Sequence, residues 1–187
     1  MRVISGTAKS LQLKTLPGNG TRPTTDRIKE TLFNILANEL YDGMFLDLCS
    51  GSGAIGIEAL SRGAKRAYFV EQEKAACLII QENLIHTGLK EKAVILQKNA
   101  VSALNILKKE KISFDFIFMD PPYESGLEKQ LLFLLAQTDV LKKSGMVIVE
   151  ANIHTSFDYL EDLGFFIKKI KKYKTSQHLL IQRKEIS

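Results

Sequence analysis

The sequence is poor in cysteine and histidine and has no tryptophan. Its two cysteines, Cys49 and Cys77, cannot build a disulfide framework and lack metal-site spacing. Three isolated histidines, His86, His154 and His178, supply no zinc constellation, so no metal is expected. Long apolar runs are missing too: the longest, Leu131–Ala136, falls far short of a bilayer span. The first residues show no signal-peptide pattern, because Arg2 leads into mixed polar residues rather than an apolar stretch. This combination is expected of a protein of the reduced cytosol, and it argues against a disulfide scaffold, a zinc domain or a helical membrane protein.

What is present fits one globular core. The 187 residues are 45% hydrophobic and 25% charged, enough for one buried core and too few for two comfortable domains. A single domain over 1–187 is expected, with 1–22 as an N-terminal hairpin extension and 23–187 as an α/β core. A net charge of +5 favours a polyanionic partner. Lys168, Lys169, Lys171, Lys172 and Lys174 crowd near the C-terminus, while Arg2, Lys9, Lys14, Arg22, Arg27 and Lys29 lie in the first thirty residues. Either set, taken alone, also reads as a solvated face.

Arg2–Ser5 and Leu11–Leu16 read as two short strands, followed by a turn at Pro17-Gly18-Asn19-Gly20. Thr24 or Thr25 can cap a helix from Asp26 to about Leu40, with Ile28, Leu32, Phe33, Ile35 and Leu36 at helical spacing. From Met44 strands and helices alternate. Strands are expected at Met44–Leu48, Arg66–Glu71, Ala93–Gln97, Phe114–Met119 and Met146–Glu150. Helices are expected at Ala54–Arg62, Glu73–Thr87, Ala100–Glu110 and Glu128–Gln137. A short helix near Ser156–Asp162 precedes two last strands, Phe165–Lys171 and His178–Arg183. Alternation implies a mainly parallel sheet covered on both faces, and two closing strands without an intervening helix imply one antiparallel strand.

Asp47-Leu-Cys-Ser-Gly51-Ser-Gly53-Ala-Ile-Gly56 follows a strand and opens a helix. Glycines let the backbone approach a ligand, and Glu71, at the end of the next strand, is placed to accept ribose hydroxyls. Both NAD and S-adenosylmethionine suit this pattern. Asp47 tilts the balance, since a carboxylate there repels a pyrophosphate, whereas adenosylmethionine has no phosphate and carries an ammonium.

Asp120-Pro121-Pro122-Tyr123 ends the fourth strand, where ligands of open α/β sheets bind. Two prolines hold the chain extended and remove two N–H donors, leaving carbonyls available. An amine on an aromatic base is a poor nucleophile, because its lone pair is delocalised into the ring. Acceptors at Asp120 and the Pro121 carbonyl would favour a pyramidal nitrogen and stabilise its developing positive charge. Tyr123 offers a face on which an extruded base can stack. A proline-rich turn with a buried tyrosine is the structural alternative.

The segments Arg2–Gly6, Arg22–Phe33, Asp47–Gly56, Glu58–Gly63 and Asp120–Tyr123 together resemble the RsmD family, the 16S ribosomal RNA guanine-N2 methyltransferases, over nearly the whole chain. The resemblance implies a class I, Rossmann-like methyltransferase fold: a mainly parallel seven-stranded sheet with one antiparallel strand, and a small N-terminal β-hairpin. It implies S-adenosylmethionine as cofactor, with Asp47, Gly51 and Gly53 on its methionine part and Glu71 on its ribose. Thr24 and Thr25 would help close the pocket, and Lys98-Asn99-Ala100 would lie against the adenine, with Asn99 standing where relatives commonly have an acid. Asp120, Pro121 and Tyr123 would hold the target guanine, with Pro122, Arg22, Lys168, Lys169 and Lys171 as further substrate contacts. Asn83 reads either as support for the site or as an ordinary surface residue.

Partner and substrate follow from the same resemblance: 16S rRNA, within a small-subunit particle, acted on by a monomer. Adenine N6 and cytosine N4 present the same conjugated amine, so a DNA or RNA adenine-N6 methyltransferase is the nearest enzymatic rival. A non-catalytic RNA-binding assembly factor is the rival of another class.

Overall fold

The computed structural model describes residues 1–15, 26–37, 39–123 and 125–184. Its elements are α1 (Asp26–Leu36), β1 (Met44–Leu48), α2 (Ala54–Ser61), β2 (Arg66–Glu71), α3 (Lys74–His86), β3 (Ala93–Gln97), α4 (Ala100–Lys109), β4 (Phe114–Met119), α5 (Leu127–Ala136), β5 (Leu141–Asn152), β6 (Phe165–Lys172) and β7 (Ser176–Arg183). The strands form one seven-stranded sheet in the order β3-β2-β1-β4-β5-β7-β6. All neighbours pair in parallel except β7, which runs antiparallel to both β5 and β6. The mainly parallel sheet with one antiparallel strand is the one expected from the alternating pattern, and its seven strands are those the family resemblance implies.

Both faces are buried because side chains alternate along each strand. In β4, Phe116 and Phe118 join Phe45 and Phe69 in one apolar cluster with α1, α2 and α3. Ile117 and Met119 join Leu46, Leu48 and Val70 in the other, against α4 and α5. The central strands therefore read as continuous apolar runs.

Four expected elements differ. The first thirteen residues make one antiparallel bridge, Arg2 to Gln12, rather than two strands. Val3 and Leu13 N–H donate across it, to the Leu11 and Met1 carbonyls at 3.0 and 2.9 Å, whereas Ile4 and Ser5 donate to the Glu58 carboxylate at 2.8 and 3.0 Å and Thr7 to the Ser61 carbonyl at 2.8 Å. Helix α1 stops at Leu36, whose carbonyl accepts from both Glu39 and Leu40 in a closing turn. The stretch Ser156–Asp162 holds only a 3-10 turn, Asp158–Leu160. Strand β5 starts at Leu141, which pairs with Phe114 before a register shift. Leu16 and the Pro17–Gly20 turn lie outside the described residues.

The N-terminal segment is clamped to α2 by a buried ionic knot. Besides the two backbone donors, Glu58 takes Arg62 Nε at 2.7 Å and Lys29 Nζ at 3.2 Å, with Lys29 and Glu58 both fully buried. Lys29 also donates to the Arg2 carbonyl at 2.5 Å. The basic set read from the first thirty residues therefore loses Lys29, whose ammonium is internal and out of a polyanion's reach. Gly6 fits here because φ is +87° and an added Cβ would lie 1.8 Å from the Ser61 carbonyl oxygen. Removing one partner of such a knot leaves the other charged and buried. Glu58→Ala should thus cost about 3–5 kcal/mol in urea unfolding; an unchanged midpoint would show that the knot carries no stability.

Candidate active site

Strand order reverses beside β1, whose neighbours are β2 on one side and β4 on the other. The carboxyl ends of the strands open there, which is where an open α/β sheet takes ligands. A cavity of about 470 Å³ occupies this position. Of the residues singled out from sequence, Gly51, Glu71, Asn99, Ala100, Asp120, Pro121, Pro122 and Tyr123 all line it. Four separate loops, after β1, β2, β3 and β4, thus converge on one space.

The glycine turn between β1 and α2 is held in an unusual path. Cys49, Gly51 and Gly53 have φ of 64°, 54° and 76°, the left-handed region. Gly51 has nothing within 4 Å of an added Cβ, so its missing side chain keeps the cavity open. Asp47 and Gly53 lie beneath the wall rather than on it. Asp47 is 1% exposed, and its Oδ2 accepts from the Gly56 N–H at 3.0 Å, tying the strand to the start of α2.

Glu71 holds the turn from the other side. Its Oε2 accepts from Gly51 N–H at 2.9 Å and its Oε1 from Glu73 N–H at 3.0 Å. Each oxygen keeps a second lone pair that a ligand hydroxyl can use. Asn99 lines the cavity while its Oδ1 accepts from Ser102 N–H at 2.8 Å, capping α4. Any adenine contact by that oxygen would have to use its second lone pair. Tyr123 lines the cavity and is 46% exposed.

Other residues named from sequence fall outside this cavity. Lys168, Lys169 and Lys171 lie on β6, the sheet edge, with Lys171 in register with His178 of β7. Lysines on an edge strand also discourage edge-to-edge pairing, a structural duty independent of any ligand. Thr24, Thr25 and Arg22 lie outside the described residues.

Sequence reading missed two titratable residues of the cavity wall and undervalued a third residue nearby. Cys49 is on the wall; its thiol is pushed up to about 12 by burial and by Asp47, Glu71 and Asp120, which leaves it neutral and inert. Glu150, in β5, also lines the cavity; a carboxylate following the apolar run Met146–Val149 was the available signal. Asn83, mid-helix in α3, is 1% exposed. Its amide exchanges hydrogen bonds with Lys14 N–H and carbonyl at 2.8 and 3.0 Å, and donates to the Ser52 carbonyl at 3.0 Å. It therefore joins the N-terminal segment to the glycine turn.

The cavity floor is acidic. Burial raises Asp47 to about 7, against the Gly56 hydrogen bond that lowers it, with Glu71 adding repulsion. Burial raises Asp120 to about 8, followed by the charges of Glu150 and Asp47. Such a floor suits a cationic ligand and opposes a pyrophosphate. Both carboxyls are raised on folding, so the ligand-free protein holds their full stabilising protonation below the ordinary value of 3.8 and loses it as pH rises through about 7 and 8. Asp120→Asn, with no proton to lose, should flatten the fall in urea midpoint between about pH 4 and 8; an unchanged slope would assign the loss to other groups.

A family model described as "Conserved hypothetical protein 95" matches residues 1–181. The chain is 40% identical over 150 residues to the Bacillus subtilis protein YlbH, an rRNA methyltransferase by name, covering 80% of this chain and 82% of that one. It is 37% identical over 154 residues to the Haemophilus influenzae ribosomal RNA small subunit methyltransferase D, covering 80% and 78%. The solved structure of the Escherichia coli protein yhhF superposes with a TM-score of 0.85 at 32% identity, over 98% of both chains. With a match of this extent, and with the glycine turn and Asp-Pro-Pro-Tyr brought to one cavity, the chain belongs to the RsmD family of methyltransferases.

Proposed function

We propose that this protein transfers the methyl group of S-adenosylmethionine to the exocyclic N2 amine of a guanine in 16S ribosomal RNA. The observation that carries the reading is that Asp120, Pro121 and Tyr123 open onto the same cavity as Gly51 and Glu71. Acceptors for an amine and a seat for a ribose-bearing cofactor thus share one space. The relatives' names, which specify the small ribosomal subunit, supply the substrate class.

S-adenosylmethionine is the cofactor, and when bound it supplies an electrophilic methyl group on a positively charged sulfur. The chain's residues do the rest. Glu71, on the cavity wall, would accept from the ribose hydroxyls, and the open face at Gly51 would admit the methionine portion over the acidic floor. Lys98, Asn99 and Ala100, on the same wall, would border the adenine. Thr24 and Thr25, outside the described residues, would help close the cofactor pocket as the family resemblance implies.

At the amine, Asp120 and the Pro121 carbonyl accept the two hydrogens and turn the nitrogen lone pair toward the methyl group. The nitrogen–carbon bond forms as the sulfur–carbon bond breaks, and the amine then loses one proton. Asp120, raised toward neutrality by burial, is placed to take it. Tyr123 stacks on the base, worth about 1–3 kcal/mol for a base–aromatic contact. Pro122 keeps the loop extended beside it, while Arg22 and the β6 lysines hold RNA phosphates.

Incubating the protein and labelled cofactor with ribosomal particles from cells lacking this gene should yield N2-methylguanosine on nucleoside analysis. Methylated adenine in DNA, with none in ribosomal particles, would reject the reading. Asp120→Ala should abolish transfer while leaving most cofactor binding intact, measured by calorimetry; wild-type turnover would overturn the role of the carboxylate. Replacing Lys168, Lys169 and Lys171 together with alanine should weaken RNA binding and lower its salt slope by about 1 for each phosphate no longer neutralised. An unchanged slope would make these lysines edge protection alone.

A further inference from the structure

The cavity holds a carboxylate that the transfer step leaves unused. Met119, the last residue of β4, pairs in register with Val149 of β5, so the next residue, Asp120, leaves the strand beside Glu150. Both line the cavity, and Asp120 feels the charge of Glu150.

Glu150 is also fixed from behind. It is 7% exposed, and its Oε2 lies 2.9 Å from Nε2 of His178, its register partner on β7. His178 is 1% exposed and meets Phe118 and Tyr173 edge-on, with ring centroids 6.3 and 5.2 Å away. An imidazole held that way has little room to turn, so the carboxylate it touches has a set position. Two adjacent buried carboxylates repel unless a proton or a pair of donors stands between them. A ligand edge with two neighbouring N–H groups supplies such a pair.

Nucleobase chemistry then discriminates. Next to the exocyclic amine, guanine carries a ring N1–H donor. Adenine at N1 and cytosine at N3 carry bare acceptors there. With Asp120 on the amine, a second carboxylate alongside meets a donor in guanine and a lone pair in the other two, which is repulsive. Resting on the proposed reaction, we infer that Glu150, positioned by His178, selects guanine by accepting a hydrogen bond from its ring N1–H beside the amine gripped by Asp120. Base identity is thus read by Asp120, just past β4, and Glu150, within β5, with no dedicated recognition domain required.

Guanosine and 2-aminopurine riboside, compared as inhibitors of transfer to ribosomal particles lacking the modification, test this. Both carry the amine, and only guanosine carries N1–H. The wild-type protein should be inhibited by guanosine at about ten-fold lower concentration. Glu150→Gln should close most of that gap with S-adenosylhomocysteine binding unchanged. His178→Leu should do the same, whereas His178→Gln, which keeps an amide donor toward Glu150, should preserve it. Equal inhibition of the wild type by both nucleosides, including none by either, would overturn the inference, as would a gap untouched in Glu150→Gln. Product analysis separates the two levels. N2-methylguanosine formed without a nucleoside gap removes Glu150's role alone, while a different methylated base removes the proposed reaction itself.

Discussion

The site depends on one buried hydrogen bond, from the Gly56 N–H to the Asp47 carboxylate. Asp47 shares the strand face of Phe45, so its side chain points toward α2 and meets the unpaired amides of that helix's first turn. Between the two ends of this tie, the chain passes through three left-handed residues within five, one of them the non-glycine Cys49. Such a path persists only when its surroundings over-determine it. They do: Ser50 N–H donates to the Val70 carbonyl, the Ser50 hydroxyl to the Asp47 carbonyl, and Glu71 takes the Gly51 N–H. The turn is therefore rigid before any ligand arrives, and the bared face at Gly51 is a consequence.

Much of the polar chemistry outside the cavity serves that rigidity. Glu58 and Ser61, on the far side of α2, clamp the first eight residues; the Ser61 hydroxyl accepts from Ala8 N–H and donates to the Ser5 carbonyl. Asn83 then ties Lys14 to Ser52. The N-terminal segment is in this way continuous, through hydrogen bonds, with the glycine turn. Its charged residues contribute to packing as much as to any surface, and Lys29 is the clearest case.

Electrostatics divide the molecule by function. The cavity gathers Glu71, Asp120 and Glu150 over a buried Asp47, while the sheet edge at β6 carries the lysines. Lys171, His178 and Glu150 occupy one cross-strand row, so the basic edge stands at the level of the cavity. Acid in the pocket favours a cationic ligand, and the basic sheet edge favours a polyanion.

Sequence by itself determined what depends on neighbours along the chain. The β-α alternation, the glycine turn after β1, Glu71 at the end of β2 and Asp-Pro-Pro-Tyr after β4 are local patterns, and each stands where its spacing placed it. Pairings between distant residues were decided only by tertiary structure, because strand order and register set them. Glu150 meets His178 across β5 and β7, and Lys29 meets Glu58 between two helices. Asn83, which reads as support or as ordinary surface, becomes a buried bridge once α3 packs beneath the glycine turn. In each case the side chain's chemistry is visible in the sequence, whereas its partner is chosen by the fold.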